Sequence, residues 1–193
     1  MRVKMIAAAA AMVALSGCFG GGAPDALLTL TAAETRAPAT PRTAAPGAAI
    51  TVVAPTVPQA LRTPRVPVYV SDTVVQYLAD AQWVEAPGPL FGRLLGETIG
   101  ARTGRVVLDP SQYSHDPGTR LTGQLVRFGL DPNTMQVVAI YDAAMARGSE
   151  GGVTTNRFEA RVPVAEATPA AVAPALNDAA NQVAAAVAAW VGG

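Results

Sequence analysis

Few residues of this sequence could perform catalysis or bind a metal. The chain has one cysteine, Cys18, and one histidine, His115, which leaves little material for a nucleophile triad or a metal site. His115 lies in the polar stretch Tyr113–Pro117, which is typical of a solvated loop. The acidic residues are scattered singly between apolar runs, and Gly20–Gly22 precedes no helix with a lysine, so neither a catalytic carboxylate pair nor a phosphate loop is indicated. We expect a protein that is not an enzyme and that needs no metal and no cofactor.

Cys18 has the sequence context of a lipidated residue. Met1–Lys4 is a short cationic segment, and the apolar run Met5–Leu15 is too short to span roughly 30 Å of hydrocarbon as a helix, as expected of a signal peptide. The run leads into Leu15-Ser16-Gly17-Cys18, which resembles the lipobox of bacterial lipoproteins. In a lipobox the cysteine thiol is diacylated, and its amine is exposed by cleavage and acylated in turn. We therefore predict a signal peptide over residues 1–17 and a mature chain that begins at Cys18 and carries fatty acids such as palmitate.

The residues after Cys18 predict a tethered protein of the cell envelope. Two or three acyl chains hold a protein stably at a membrane, whereas a single chain holds it only marginally. Residues 18–25 include three glycines and a proline, a composition typical of a flexible tether. Phe19 occupies the position at which an aspartate would, by resemblance to the enterobacterial sorting rule, favour retention in the inner membrane. We expect lipid anchoring in the outer membrane, with the domain facing the periplasm.

The charge of the mature chain gives no reason to expect nucleic acid as a partner. The full sequence has 14 basic and 14 acidic residues, and removal of Arg2 and Lys4 with the signal leaves a small excess of acidic residues. No basic field therefore remains to attract phosphate backbones. Half of the residues are hydrophobic, which at this length is enough for one core. We predict a single domain over residues 26–193.

The first half of the mature chain predicts short strands. Four β-prone runs are Leu27–Thr31, Ala49–Val53, Val68–Val70 and Val74–Leu78. Residues 33–47 are rich in Ala, Pro, Thr and Arg and predict a mobile loop, whereas Ser71–Thr73 suits a tight turn. Pro64 and Pro67 place the run at Val68 on a sheet edge, because proline cannot donate to a β-ladder.

The second half predicts an antiparallel meander. The short run Arg105–Leu108 is followed by a polar loop at 109–118 and then by three alternating runs, Thr119–Leu130, Met135–Tyr141 and Phe158–Val162. Turn residues separate these runs at Asp131–Asn133 and at 149–152. One face of the meander alternates as polar, which indicates a solvated side.

Two amphipathic helices complete the expected fold. Leucines and an isoleucine recur at helical spacing from Leu90 to Ile99, and Gly104 offers a left-handed end. Glycines at 92, 96 and 100 predict a helix that lies close to its sheet. Thr168 and Pro169 suit the start of a second helix that ends before Gly192, in which Pro174 should shift the start or add a kink. The expected fold class is α+β, with a mostly antiparallel sheet of about five to six strands and two amphipathic helices packed on one face.

The order of these pieces is similar to a known family. A lipobox and a proline-rich early loop precede three segments, Leu61–Pro67, Val75–Tyr77 and Trp83–Pro87, and then an amphipathic helix. The whole resembles the ABC-type transport auxiliary lipoprotein family, the PqiC-like group, over roughly residues 27–190.

This resemblance implies an accessory lipoprotein of an MCE-type ABC transport system, which moves phospholipid or another lipid between the two membranes of a Gram-negative envelope. Its implied partners are an MCE-domain protein, ABC transporter components and further copies of itself as a homo-oligomer. Tyr77, Trp83 and Phe91 are the candidate partner-binding residues, because aromatic residues are enriched in interface cores, although burial in the domain's own core is the favoured interpretation for each. Two alternatives stay open: a scaffold for outer-membrane biogenesis and a lipid-binding carrier.

Overall fold

The computed structural model describes residues 26–35, 41, 43–110, 118–148 and 151–193. The signal peptide, Cys18, the tether and His115 therefore lie outside the described residues. In chain order the elements are strand β1 (Ile50–Val52), a 3-10 turn (Gln59–Leu61), β2 (Arg65–Tyr69), β3 (Val75–Gln82), helix α1 (Pro87–Thr103), β4 (Val107–Leu108), β5 (Thr119–Asp131), β6 (Gln136–Arg147), β7 (Val153–Pro163) and helix α2 (Pro169–Gly192).

The sheet is built on the long strand β5. On one side, β5, β6 and β7 form the expected antiparallel meander. On the other side, β1 runs parallel to the first residues of β5 and β2 runs parallel to its last residues, so the two short strands share one edge. β4 pairs with β1 in parallel, and β3 pairs with β2 in antiparallel orientation.

The α+β fold class is confirmed, with two differences in detail. Within the described residues the sheet has seven strands, and it is mixed, because β1, β2 and β4 contribute parallel pairs to it. The long ladders are the antiparallel ones. Alternation along a strand shows which residues face the core but does not show which strand lies beside it, so the parallel pairs could not be read from the sequence.

The prediction that the run at Val68 lies on a sheet edge is wrong. β2 lies between β3 and β5, and β3 is the outer strand. The β2–β3 ladder is irregular between Arg65 and Pro67, so the missing N–H of Pro67 falls where the ladder is already broken. A proline is tolerated in a sheet at an edge or at a bulge, and here it is the bulge that accommodates it.

Both helices cover the same face of the sheet. The Phe91 ring of α1 lies 5.3 Å from the Tyr141 ring of β6, and the Trp190 ring of α2 lies 5.6 Å from the Phe158 ring of β7. The predicted close approach of α1 is confirmed at Gly92, where an added Cβ would lie 3.1 Å from the Ala54 Cα.

The helix ends agree with the sequence signals. Gly104 follows α1 with φ +68°, the left-handed conformation that glycine adopts most readily. The Thr168 hydroxyl accepts a hydrogen bond from the Ala171 N–H at the start of α2. α2 begins at Pro169 and continues through Pro174 without a shift of its start, and it extends to Gly192.

The segment predicted as a strand at Leu27–Thr31 forms only one bridge, between Leu28 and Trp83. Beyond it the backbone leaves the sheet and is held by α2. The side-chain oxygens of Asn177 and Asn181 accept hydrogen bonds from the Thr31 and Ala33 N–H groups, at 2.8 and 2.7 Å. Asn181 also donates to the Thr31 carbonyl. Side-chain amides therefore satisfy backbone groups that would otherwise have formed a ladder. The part of the predicted mobile loop at 36–40 and 42 lies outside the described residues.

Candidate interaction surfaces

The face of the sheet opposite the helices, here called the outer face, carries four paired side chains. Val66 and Val68 of β2 face the core, so the alternate positions Arg65 and Tyr69 face outward. Tyr77 of β3 is in register with Pro67 and faces outward as well. Arg127 of β5 lies against Tyr69. We call Arg65, Tyr69, Tyr77 and Arg127 the arginine–tyrosine platform.

Each arginine of the platform stacks on a tyrosine. The Arg65 guanidinium carbon lies 4.1 Å from the Tyr77 ring centroid, and that of Arg127 lies 4.3 Å from the Tyr69 centroid. These distances are within the range of cation–π attraction. Arg65 is exposed and Tyr77 is half-buried, so this pair is accessible, whereas Tyr69 is buried beneath Arg127.

Tyr69 fixes the position of the platform. Its ring lies over Gly129, where an added Cβ would come within 3.0 Å of the ring and 2.3 Å of the Pro67 carbonyl oxygen. Its hydroxyl accepts a hydrogen bond from the Phe128 N–H at 3.2 Å. Burial raises the pKa of Tyr69, and the hydrogen bond with Phe128 and the charge of Arg127 partly oppose that effect. Tyr69 therefore stays neutral and holds Arg127 in place.

The rest of the outer face carries ion pairs along β6 and β7. Arg157 donates two hydrogen bonds to the Asp142 carboxylate, each of 2.6 Å, and Arg161 donates to Glu159 at 2.6 Å. The hydrogen bonds from Arg157 lower the pKa of Asp142. Pairing neutralises these charges locally, so this region is polar without a strong field.

Of the three residues predicted to bind a partner, two lie in the core and one reaches the surface. Phe91 is fully buried and Trp83 is 2% exposed. The Trp83 ring stacks on the Phe128 ring at 5.6 Å, and its Nε1 has no hydrogen-bond partner among the described residues. Only Tyr77 reaches the surface, as part of the platform. Trp83 and Phe91 both contact the Phe128 ring, whereas Tyr77 lies apart from them on the outer face, and contact of the three residues with a partner stays a prediction.

Depressions on the surface are open and partly polar. One of about 840 Å³ lies between the ends of α1 and α2 and is lined by residues such as Arg102, Arg105 and Gly192. Another of about 410 Å³ lies between α1 and β4. In the described part of the chain, no three His, Cys, Asp or Glu side chains are grouped so that they could hold a metal. Within those same residues, no helix is long and apolar enough to cross a membrane.

Comparison with known proteins establishes the family. The family model described as the ABC-type transport auxiliary lipoprotein component matches residues 28–188, most of the chain. This protein belongs to the ABC-type transport auxiliary lipoprotein family. The match begins at Leu28, the residue that bridges to Trp83, and it ends within α2, so it includes every strand and helix α1.

Two solved structures share the fold of this auxiliary lipoprotein. A crystal structure of a Xanthomonas campestris protein of the DUF330 family is similar with a TM-score of 0.72 and 19% identity, covering 86% of this chain and 94% of that one. A second crystal structure, of an uncharacterized protein, has a TM-score of 0.60 and 15% identity, covering 77% and 92%. A dodecamer of a PelC variant from Paraburkholderia phytofirmans is more distant, with a TM-score of 0.45, 13% identity and coverage of 77% and 92%. No curated protein matches the sequence significantly.

The sequence reasoning found Tyr77 but missed the rest of the platform in this auxiliary lipoprotein. The alternation Arg65-x-Pro67-x-Tyr69 is a usable signal, because it sets an arginine and a tyrosine on the face opposite Val66 and Val68. No such alternation in the sequence indicated that Arg127 belongs to the platform. It reaches Tyr69 only because β2 lies beside β5, which is a contact between distant parts of the chain.

Proposed function

We propose that this lipoprotein is an accessory subunit of an MCE-type ABC transport system that moves lipid between the inner and outer membranes. It is acylated at Cys18, anchored in the outer membrane and turned toward the periplasm. It acts by binding protein partners and catalyses no reaction. Its partner is the MCE-domain protein of the system, and further copies of the chain complete the assembly.

The family match carries the link to ABC transport, and the arginine–tyrosine platform supports binding as the mode of action. Arginine and tyrosine are enriched at protein interfaces, and stacking orders their side chains before a partner arrives. A side chain that is already ordered loses less conformational entropy on binding. Arg65 and Tyr77 are the accessible pair, so we place the MCE-domain protein on them.

The environment of the ionisable groups also favours binding over catalysis. Tyr69 and Tyr141 have raised pKa values, and in both the largest cause is burial in the fold. Asp142, whose pKa is lowered, forms an ion pair with Arg157 at the surface. Catalytic groups usually have shifted pKa values inside a cleft, and these three residues have structural partners instead.

A pull-down from solubilised membranes tests the partner. Tagged protein should recover ABC transporter components and an MCE-domain protein. Tyr77→Ala and Arg65→Ala should each reduce this recovery about 5- to 30-fold, as expected for a contact worth about 1–2 kcal/mol. Arg161→Ala is the matched control, because it removes an arginine from the same face that stacks on neither platform tyrosine.

The outcomes separate the function from the surface. Recovery of no transporter component would contradict the transport function, and recovery of a porin-like or lipopolysaccharide-export complex instead would establish the scaffold alternative. Equal recovery by Tyr77→Ala, Arg65→Ala and Arg161→Ala would contradict the placement on the platform. Lipid co-purifying in stoichiometric amounts would favour the carrier alternative.

Membrane fractionation tests the anchor. The wild-type chain should float with the outer membrane after separation of the two membranes, and Cys18→Ser should move it out of the membrane fraction. An unchanged membrane fraction for Cys18→Ser would contradict acylation as the anchor. Flotation with the inner membrane would contradict the placement in the outer membrane alone.

A further inference from the structure

Two exposed aliphatic side chains line one surface groove near the start of the described residues. Leu27 is 49% exposed and Val84 is 50% exposed. The Leu28 N–H donates to the Gln82 carbonyl at 2.7 Å, and the Val84 N–H donates to the Leu28 carbonyl at 2.9 Å. Leu28 and Trp83 face the core, so alternation sends Leu27 and Val84 to the opposite side. The backbone therefore fixes these two side chains outside the core.

A cationic side chain borders this pair. Leu27, Val84 and Arg62 line one surface groove of about 400 Å³, together with Glu85. Glu85 is engaged by Arg93 in an ion pair. The exposed Arg62 guanidinium forms no ion pair within the described residues. We call Leu27, Val84 and Arg62 the N-terminal patch, an apolar surface with a local positive charge.

The chain length before the patch limits how far it can be from a lipid anchor. Ala26, where the described residues begin, is eight positions after Cys18, the cysteine of the lipobox. Fully extended, eight residues span at most about 29 Å, which is less than the thickness of one bilayer with its headgroups. With acyl chains on Cys18, the N-terminal patch is therefore always within reach of the membrane surface.

We propose that the N-terminal patch lies against the headgroup region of the bilayer that holds the anchor, with Leu27 and Val84 at the acyl boundary and Arg62 on a lipid phosphate. The inference rests on the acylation of Cys18 in the proposed function. The anchor already supplies the affinity, so a patch of this size has only to orient the domain. A second copy of the chain is a poorer occupant, because stable protein interfaces bury about 800 Å² per partner and two half-exposed side chains supply far less.

The chain offers a matched control on the same strand. Val74 is 44% exposed and precedes the first residue of β3, whereas Val84 follows its last residue. On the neighbouring strand, Val74 lies opposite Val70 and Trp83 lies beside Pro64, and these two partners are six residues apart, so Val74 and Val84 are about 20 Å apart at roughly 3.3 Å per residue. A membrane that touches Val84 therefore does not touch Val74.

The experiment uses the full-length lipoprotein with one added cysteine. Cys18 is the only native cysteine and is consumed by acylation, so Val84→Cys and Val74→Cys each provide one free thiol for an environment-sensitive fluorophore. The labelled proteins are reconstituted in vesicles of phosphatidylethanolamine and phosphatidylglycerol, with and without a headgroup nitroxide lipid. We expect a blue-shifted emission and strong nitroxide quenching at position 84, and water-like emission with little quenching at position 74. Arg62→Gln should shift the docking equilibrium at position 84 about fivefold toward the undocked state, the factor expected for the loss of one cationic side chain at an anionic surface.

Each outcome decides one claim. Failure of the wild-type protein to float with vesicles would overturn the acyl anchor and, with it, this inference. Flotation with a water-like, unquenched probe at position 84 would overturn the inference alone. A blue shift at position 84 without nitroxide quenching would show that protein covers the patch and would also overturn it. Equal quenching at positions 84 and 74 would mean that the domain has no fixed orientation, which contradicts the proposal.

Discussion

Two glycines of α1, one turn apart, differ in the free space beside them, and replacing each with alanine should shift stability in opposite directions. A Cβ at Gly92 would lie 3.1 Å from the Ala54 Cα and 3.3 Å from the Pro55 Cδ, closer than ordinary packing allows. A Cβ at Gly96 would lie 3.5 Å from a Val107 methyl carbon, an ordinary van der Waals contact. The neighbour of Gly92 is backbone and cannot rotate away.

The expected magnitudes follow from two opposing effects. Alanine is about 0.8–1.0 kcal/mol more favourable than glycine in a helix interior, and both positions gain this amount. At Gly92 the overpacking cost of about 1–3 kcal/mol exceeds that gain, so Gly92→Ala should lower the free energy of unfolding by about 1 kcal/mol. At Gly96 no such cost applies, and Gly96→Ala should raise the free energy of unfolding by about 1 kcal/mol.

Thermal and urea unfolding followed by circular dichroism in one detergent can measure this difference. For a chain of this size, 1 kcal/mol corresponds to about 2–4 °C in Tm, so the two variants should be separated by about 4–8 °C around the wild type. Gly152→Ala is the control for a glycine-to-alanine change without a new contact, because an added Cβ at Gly152 meets no atom within 4 Å. Stabilisation by both helix substitutions, or destabilisation by both, would refute the packing of α1 on Ala54 and Val107.

Three further substitutions test contacts within the domain. Asn181→Ala removes a side chain that accepts a hydrogen bond from the Ala33 N–H and donates one to the Thr31 carbonyl. About 1–2 kcal/mol of stability should be lost, and amide hydrogen exchange at Ala33 should accelerate. Unchanged exchange at Ala33 would contradict the contact. Burial raises the pKa of Tyr141. The contribution of Tyr141 to stability is therefore present below about pH 10, where the tyrosine of the unfolded chain ionises, and it falls as the pH rises above that value. Tyr141→Phe should flatten the dependence of unfolding on alkaline pH, and an unaltered dependence would refute this expectation. Hydrogen bonds from Arg157 lower the pKa of Asp142. The contribution of Asp142 to stability is therefore present above about pH 4, the pKa of the unfolded chain, and it is lost as the pH falls through the lower pKa of the folded protein. Asp142→Asn should flatten the dependence of unfolding on acid pH, and a wild-type slope in this variant would contradict the ion pair with Arg157.

Features set by neighbours in the sequence could be predicted. Gly104 ends α1 and Thr168 begins α2, because the chemistry of a helix end involves only the adjacent turn. The meander of β5, β6 and β7 was predictable for a similar reason, since short turns join strands that then pair with each other. Local rules therefore located most of the elements.

Features that depend on distant residues could not be predicted. Pro67 was expected at an edge, but β5, which begins at Thr119, lies on the other side of β2. The segment Leu27–Thr31 was expected to be a strand, but it forms one bridge, at Leu28, and the side chains of Asn177 and Asn181 in the last helix then bind the backbone N–H groups of Thr31 and Ala33. The same holds for the candidate site. Tyr77 could be proposed from its residue type, but its contact with Arg65 could be found only from the pairing of β2 with β3 in the sheet.

The two proposed contacts lie on one strand, and this makes them separable. Tyr77 lies opposite Pro67 of β2 and Trp83 lies beside Pro64, so Val84, one residue beyond Trp83, is about 13 Å from Tyr77 at roughly 3.3 Å per residue. Sites more than about 7–10 Å apart without shared partners behave additively. Tyr77→Ala should therefore reduce partner recovery without changing nitroxide quenching at position 84, and Val84→Asp should reduce quenching of a probe at Leu27→Cys without changing partner recovery. Loss of both readouts in either variant would show that the partner, rather than the lipid, orients the domain at the membrane.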